Sequence, residues 1–272
     1  MKVRSLLFVG LAGVALSSCG GLKSYKTEVK MKTFIEELER LEGKSPLISE
    51  NPYSFVFESS QEEGYKIINM QNNKELSKAE EKEKSEYKVK FDSVNCVMAY
   101  EAESTSSYKD PSKEEKDEYS YDRVYQKDNK NWYHIDKNAD TYVKEESSDS
   151  EKYVGSVAMS QAYSLINAFE SHVMQIGDEG KYYIDDNVYT VVLDSTDENT
   201  SRTKHIKTIC QLTVNDDSYE YYCSDTTEIT ELHRKDIDTD VIKGKLTKKS
   251  VILDPIDLHS YLEVKDLDFP AF

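Results

Sequence analysis

Two spacings of apolar residues run through this chain. Over residues 27–42, Met31, Phe34, Ile35, Leu38 and Leu41 recur at helical intervals, and Gly43 follows as a stop. Over 149–176, Val154, Val157, Ala158, Ala162, Leu165, Ile166, Phe169, Val173 and Ile176 make one stripe. Ser148 and Glu151 have the spacing of a capping box there, and Gly177 closes the segment. Elsewhere the period is two. Strand-like runs occur at 53–57 and 65–70, and 86–103 reads as one long strand or two short ones. Runs at 119–127, 131–136 and 140–144, joined by short polar turns, predict an antiparallel meander. A second meander is predicted from 182–185, 188–194, 205–214, 219–232 and 241–253, and Asp254-Pro255 opens a short helix through Leu262. Residues 74–86, almost entirely Lys, Glu, Ser and Ala, read as a solvated helix or connector, and 104–118, with Pro111, as an acidic loop.

Helix, meander, helix, meander is not the alternation that builds parallel sheets. It predicts an α+β fold: one large curved antiparallel sheet, an incomplete barrel, with the long helix packed in its concavity and an N-terminal helix beside it. Residues 27–272 then form a single domain. Most of the 20 tyrosines fall in the strand runs, where a half-buried pleated surface suits them.

The amino end has a different character. Lys2 and Arg4 precede an apolar stretch from Leu6 to Leu16. That is short of the roughly 20 residues a membrane-spanning helix needs but fits the core of a secretory signal. Leu16-Ser17-Ser18-Cys19 follows and resembles the lipobox of bacterial lipoproteins. The resemblance implies a diacylglyceryl group on Cys19, cleavage before it, and two or more acyl chains, which suffice for stable anchoring. Residues 1–18 are then a signal peptide and 19–26, with Gly20, Gly21 and Ser24, a lipidated tether. The expected place is the cell membrane, on its extracytoplasmic face, with the membrane itself as the one partner named.

Cys96, Cys210 and Cys223 remain. If Asp216-Asp217 is a two-residue loop, Val214 faces Tyr219, Leu212 faces Tyr221 and Cys210 faces Cys223. The cysteines then occupy a non-hydrogen-bonded pair, with Cα atoms about 4.5 Å apart, within disulfide reach. A four-residue loop keeps the pairing and reverses its parity; the other reading is two buried free thiols. A Cys210–Cys223 bridge is what an exported protein would carry. Cys96 reads as a small buried hydrophobe.

A net charge of -17 and a pI near 4.8 exclude a protein that binds nucleic acid through a basic face, or an anionic membrane through a polybasic one. No nucleophile elbow, phosphate loop or HExxH is present. His134, His172, His205, His233 and His259 are scattered, and His134 with Asp136 shares at most a strand face. Asp236, Asp238 and Asp240 have the first three carboxylates of a calcium loop, but Val241 and Thr247 stand where it needs Gly and Glu, leaving an acidic turn. The Asp194–Asn199 run reads as another turn. No metal site, cofactor or catalytic constellation is expected, and the chain does not read as an enzyme.

The order of elements resembles the LolA/LolB-like superfamily of lipoprotein carriers. The likeness rests on the lipobox, the first helix, the Trp132-Tyr133-His134-Ile135-Asp136 strand entering a tight turn, and the long helix between two meanders. It implies an incomplete barrel that holds acyl chains between its concave face and its helices. Leu165, Ile166, Phe169 and Val173, with Tyr133 and Leu212 from the sheet, would line such a pocket around a lipid or other hydrophobic ligand. The alternative is a solid core in a surface interaction, adhesion or envelope-assembly lipoprotein that carries no ligand.

Overall fold

The computed structural model describes residues 22–42, 53–71, 74–95, 97–126, 131–136, 139–146, 151–253 and 257–265. In chain order its elements are β1 (Glu28–Val29), α1 (Met31–Glu42), β2 (Phe55–Gln71), β3 (Lys74–Asp92), β4 (Val97–Lys109), β5 (Glu114–Gln126), β6 (Asn131–Asp136), β7 (Thr141–Glu146), α2 (Glu151–Ile176), β8 (Lys181–Asp185), β9 (Val188–Glu198), β10 (Arg202–Val214), β11 (Ser218–Glu231), β12 (Arg234–Lys248) and β13 (Leu262–Glu263). The strands form one open sheet in the order β1-β8-β9-β10-β11-β12-β2-β3-β4-β5-β6-β7-β13. All neighbours are antiparallel except β7 and β13. Both outer strands have two residues.

The α+β class and both meanders are as the pattern predicts. They meet where β12 pairs with β2, Leu246 opposite Phe57. Helix α2 connects β7, near one edge, to β8, near the other, and touches β10, β11, β12 and β4 on the way. Its Leu165, Ile166, Phe169, Val173 and Ile176 are buried against Tyr189, Val191, Leu212, Tyr221 and Leu246, while Phe34 and Leu38 of α1 close the same cluster. Phe34 holds it together, with ring centroids 6.1 Å from Phe169 and 5.0 Å from Tyr182. Burying each such side chain stabilises the fold by about 1.5–3 kcal/mol.

Two glycines make this packing feasible. A Cβ on Gly244 would stand 2.2 Å from Leu165 Cδ2, so β12 lets the helix approach only because that position is bare. Gly177 ends α2 with φ +53, a left-handed value that other residues adopt at a cost, and its carbonyl accepts a 2.6 Å hydrogen bond from Tyr182. The Ser148 half of the predicted capping box lies outside the described residues.

Several boundaries differ from the expectation. The runs 53–57 and 65–70 are one strand, β2. Residues 74–86 are neither helix nor connector but most of β3, paired on one side with β2 and, from Glu80 on, on the other with β4. The stretch 86–103 is divided between β3 and β4 by a turn at Ser93–Asn95. There the buried Asp92 carboxylate accepts bonds from the Val94 and Asn95 amides at 2.9 and 3.1 Å. The supposed loop 104–118 is the end of β4, a tight turn and the start of β5. In that turn Asp110 accepts from the Ser112 and Lys113 amides at 2.7 and 2.8 Å. Asp236–Asp240 is strand, not turn, and so is Asp194–Glu198; the actual turn at 199–201 is closed by Asn199 Oδ1, which accepts from the Arg202 amide at 2.9 Å. Residues 257–261 are not helical: a turn at His259-Ser260 leads into β13. Residues 254–256 lie outside the described set.

The difference at 74–86 has a physical cause. Between residues 61 and 88 no described residue of β2 or β3 is buried, so hydrophobicity carries no strand signal there. Charge carries it instead. At several even positions of β3 the register sets complementary charges opposite each other: Glu80 lies between Lys66 and Lys109, and Lys84 opposes Glu62. Lys88 lies between Glu58 and Glu101 and pairs with Glu58, while Lys90 pairs with Glu101 at 3.0 Å. Lys82–Glu80 and Lys84–Glu86 pairs at 2.9 and 2.8 Å extend the pattern. Each exposed pair contributes about 0.2–1 kcal/mol; the two backbone ladders supply the rest.

Candidate functional site

Five of the six residues expected to line a pocket converge. Leu165, Ile166, Phe169 and Val173 of α2 meet Leu212 of β10 in the core described above. Tyr133 does not join them: it is buried on β6 beside Tyr142, their ring centroids 6.2 Å apart, with β11, β12, β2, β3, β4 and β5 between it and β10. The space lined by Leu38, Leu41, Ile166, Phe169, Leu212, Val214 and Tyr219 amounts to about 10 Å³, no more than the least room one water needs. Among the described residues, the larger hollow is an open groove of about 470 Å³ where Glu28–Met31 meets Asp178–Tyr182. Its rim mixes Glu28 and Asp178 with Lys30 and Lys181.

The β10–β11 hairpin has the expected register. Asn215 N donates to Ser218 O at 2.8 Å across the Asp216-Asp217 loop. Val214 then opposes Tyr219, Leu212 opposes Tyr221 and Cys210 opposes Cys223. The two cysteines are joined in a disulfide, their Cα atoms 4.0 Å apart. A turn of fixed length sets a register, which is why the pairing could be read in advance.

Beside the disulfide stands a residue that the sequence reading left among the scattered histidines. A ring nitrogen of His172 and both cysteine sulfurs lie within 4.8 Å of one another. His172 Nδ1 is 2.8 Å from the Ala168 carbonyl one turn back, an arrangement in which N–H donates to oxygen, and 3.1 Å from the Tyr221 hydroxyl. Burial, with Asp240 nearby, pushes the Tyr221 phenol well above its usual range. The signal that could have found His172 is its spacing: Leu165, Phe169, His172 and Ile176 succeed one another by four, three and four.

Two residues farther along each strand, the same sheet face changes from apolar to acidic. Asp225 of β11 opposes Asp240 of β12, Asp240 opposes Glu63 of β2, and Glu63 opposes Glu83 of β3. Four carboxylates thus stand on adjacent strands about 4.8 Å apart, with no cation opposite any of them within the row. Partial burial, and then Asp240, Glu83 and Asp238, raise the pKa of Glu63. Burial, Asp225 and Asp238 raise that of Asp240, against a hydrogen bond from Gln61 and the nearness of His172. Thr208 Oγ1 donates to Asp225 at 3.0 Å. The row is an open, strand-borne surface suited to attracting cationic groups.

Like charges directly opposed destabilise a sheet, so Asp240→Asn is expected to raise stability at neutral pH by about 0.5 kcal/mol. The sign follows from the raised folded pKa. Above that pKa the folded carboxylate carries a penalty; as pH falls through it toward the unfolded value, the folded state takes up a proton first and the penalty disappears. Urea midpoints should show the gain at neutral pH and little of it near pH 4. An equal gain at both would mean that charge is not its cause.

No family model matches the chain, and no curated protein does. Among solved structures it is similar to a crystal structure from Nitrosomonas europaea, of a protein whose assignment as an AttH is itself provisional. Identity is 11% and the TM-score 0.20, over 74% of this chain and 53% of that one. The chain spans about half the length of that structure, and at this TM-score the likeness carries no argument. No helix among the described residues is long and apolar enough to cross a membrane.

Proposed function

We propose that the protein is an extracytoplasmic lipoprotein, tethered to the cell membrane through lipid on Cys19, that works by binding other envelope or surface proteins and carries no hydrophobic ligand. It is a binding protein and not an enzyme. The observation that supports this reading is the packing among the described residues: five of the six residues expected to line a pocket, all but Tyr133, belong to one core cluster, and the space beside Ile166, Phe169 and Leu212 is about 10 Å³. A LolA-like carrier needs a hollow there. In this reading the sheet curves around α2, which touches β10 to β12 and also β4, but the hollow is occupied by the protein's own side chains. The disulfide supports export, since such bonds persist in oxidising compartments. The Asp225, Asp240, Glu63 and Glu83 row offers a partner rich in Lys and Arg a complementary surface.

Anchoring is tested by growth with a labelled fatty acid. Label should enter the parent chain and be absent from Cys19→Ser, which should move from the membrane to the soluble fraction; label retained in Cys19→Ser would reject the anchor. The choice between binder and carrier is tested by solvent extraction of the purified Cys19→Ser protein and mass spectrometry. No stoichiometric lipid is expected, whereas one lipid per chain would restore the carrier reading.

A further inference from the structure

We propose that Cys210, Cys223 and His172 form a redox-gated binding site for a zinc-class divalent cation, closed while the two sulfurs are joined and open once they are reduced. Among the described residues this is the one group of three metal-ligating side chains whose donor atoms lie within 4.8 Å of one another. Two thiolates and an imidazole are a donor set that zinc favours, and tetrahedral coordination would bring those atoms to roughly 3.5 Å apart.

Reduction does not scatter the ligands. Cys210 and Cys223 are held opposite each other by the ladder on either side of them, Gln211 with Tyr222 and Ile209 with Ser224, and the hairpin is flanked by β9 and β12. His172 comes from the helix that covers the pair. Its Nδ1, directed at the Ala168 carbonyl, leaves Nε2 as the nitrogen with a lone pair to give. A ring N–H donated to a backbone carbonyl is the usual outer support of a metal-bound histidine. Charge also fits the surroundings. Cys210 and Cys223 are 0% and 3% exposed, and a dication with two thiolates and a neutral imidazole has no net charge to bury. Three protein ligands leave a fourth position for water.

The chemistry balances with a dithiol donor. The Cys210–Cys223 bond accepts two electrons and two protons, and the donor leaves as its own disulfide. The cation then displaces both thiol protons to water as it binds.

The test uses the full chain with Cys19→Ala and Cys96→Ala, so that the pair supplies the remaining thiols. Cobalt(II) is the probe, with zinc as competitor, added to the oxidised protein and to protein reduced by a phosphine that is then removed. The reduced form should bind one cobalt per chain with a thiolate charge-transfer band, and the oxidised form none. His172→Asn keeps a donor toward the Ala168 carbonyl and removes the ligand, so affinity should fall at least about tenfold. X-ray absorption of the zinc-loaded parent should show two sulfurs and one imidazole, a reading that stands whether or not the variant folds. A reduced chain without the band, one that loses its strand signal in circular dichroism, an unchanged affinity in His172→Asn, or a zinc shell without imidazole would each overturn the proposal.

Discussion

A chain with Cys210→Ala and Cys223→Ala is expected to unfold at a distinctly lower urea concentration, having lost about 3 kcal/mol. The bridge joins residues 13 apart. In the chain-entropy account it acts chiefly on the unfolded state, whose hairpin it keeps closed. The folded hairpin should persist without it, since β9 and β12 hold both strands from outside. The parent chain, unfolded in the presence of a reductant, should show the same loss and a slightly larger dependence on urea, because the released loop exposes more surface. A midpoint that does not move in either experiment would show that the bridge constrains nothing.

Phe169→Ala should cost about 4 kcal/mol, near the top of what one substitution does. Phe169 is wholly buried, with ring centroids 6.1 Å from Phe34 and 6.4 Å from Tyr221. It lies where α1, α2 and the sheet meet, and no neighbour can collapse into its place without moving an element. The size of the effect bears on function. A side chain lining a lipid-filled pocket could be shortened while the lipid shifted to fill the gap, and the loss would be under about 1.5 kcal/mol. In a solid core the truncation leaves an apolar cavity, and benzene added to the variant should restore part of the stability. A small loss with no response to benzene would count against the packed core and for the carrier.

How far the site was legible depends on range. Cys210 and Cys223 are joined by one hairpin with a turn of defined length, so alternation alone placed them together. Leu165, Phe169 and Val173 lie on one helix, and their shared face follows from its period. Tyr133 failed for want of such a link: nothing local says that six strands lie between β6 and β10. His172 was missed although its spacing was regular, because a histidine on an apolar stripe acquires meaning only from what the opposite strand places beneath it. The row from Asp225 to Glu83 is longer-range still. It depends on β12 pairing with β2 across most of the chain, a contact that local pattern does not specify.

The sequence by itself determined the elements whose faces differ in polarity: the two helices, the meander β8 to β12 in outline, and the cysteine register. In each, burial of one face imposes a period that can be counted. Only the tertiary structure decided that 74–86 and most of 104–118 are strand. Segments such as Lys82-Glu83-Lys84 bury nothing and have weak intrinsic preference, so their conformation comes from backbone partners on both sides and from charges that meet across β2, β3 and β4. It was also the tertiary structure that paired Lys and Glu across β2, β3 and β4 and lined up the carboxylates of Asp225, Asp240, Glu63 and Glu83 on β11, β12, β2 and β3. A one-dimensional pattern gives the sign of each charge; the register between strands decides which charge it meets.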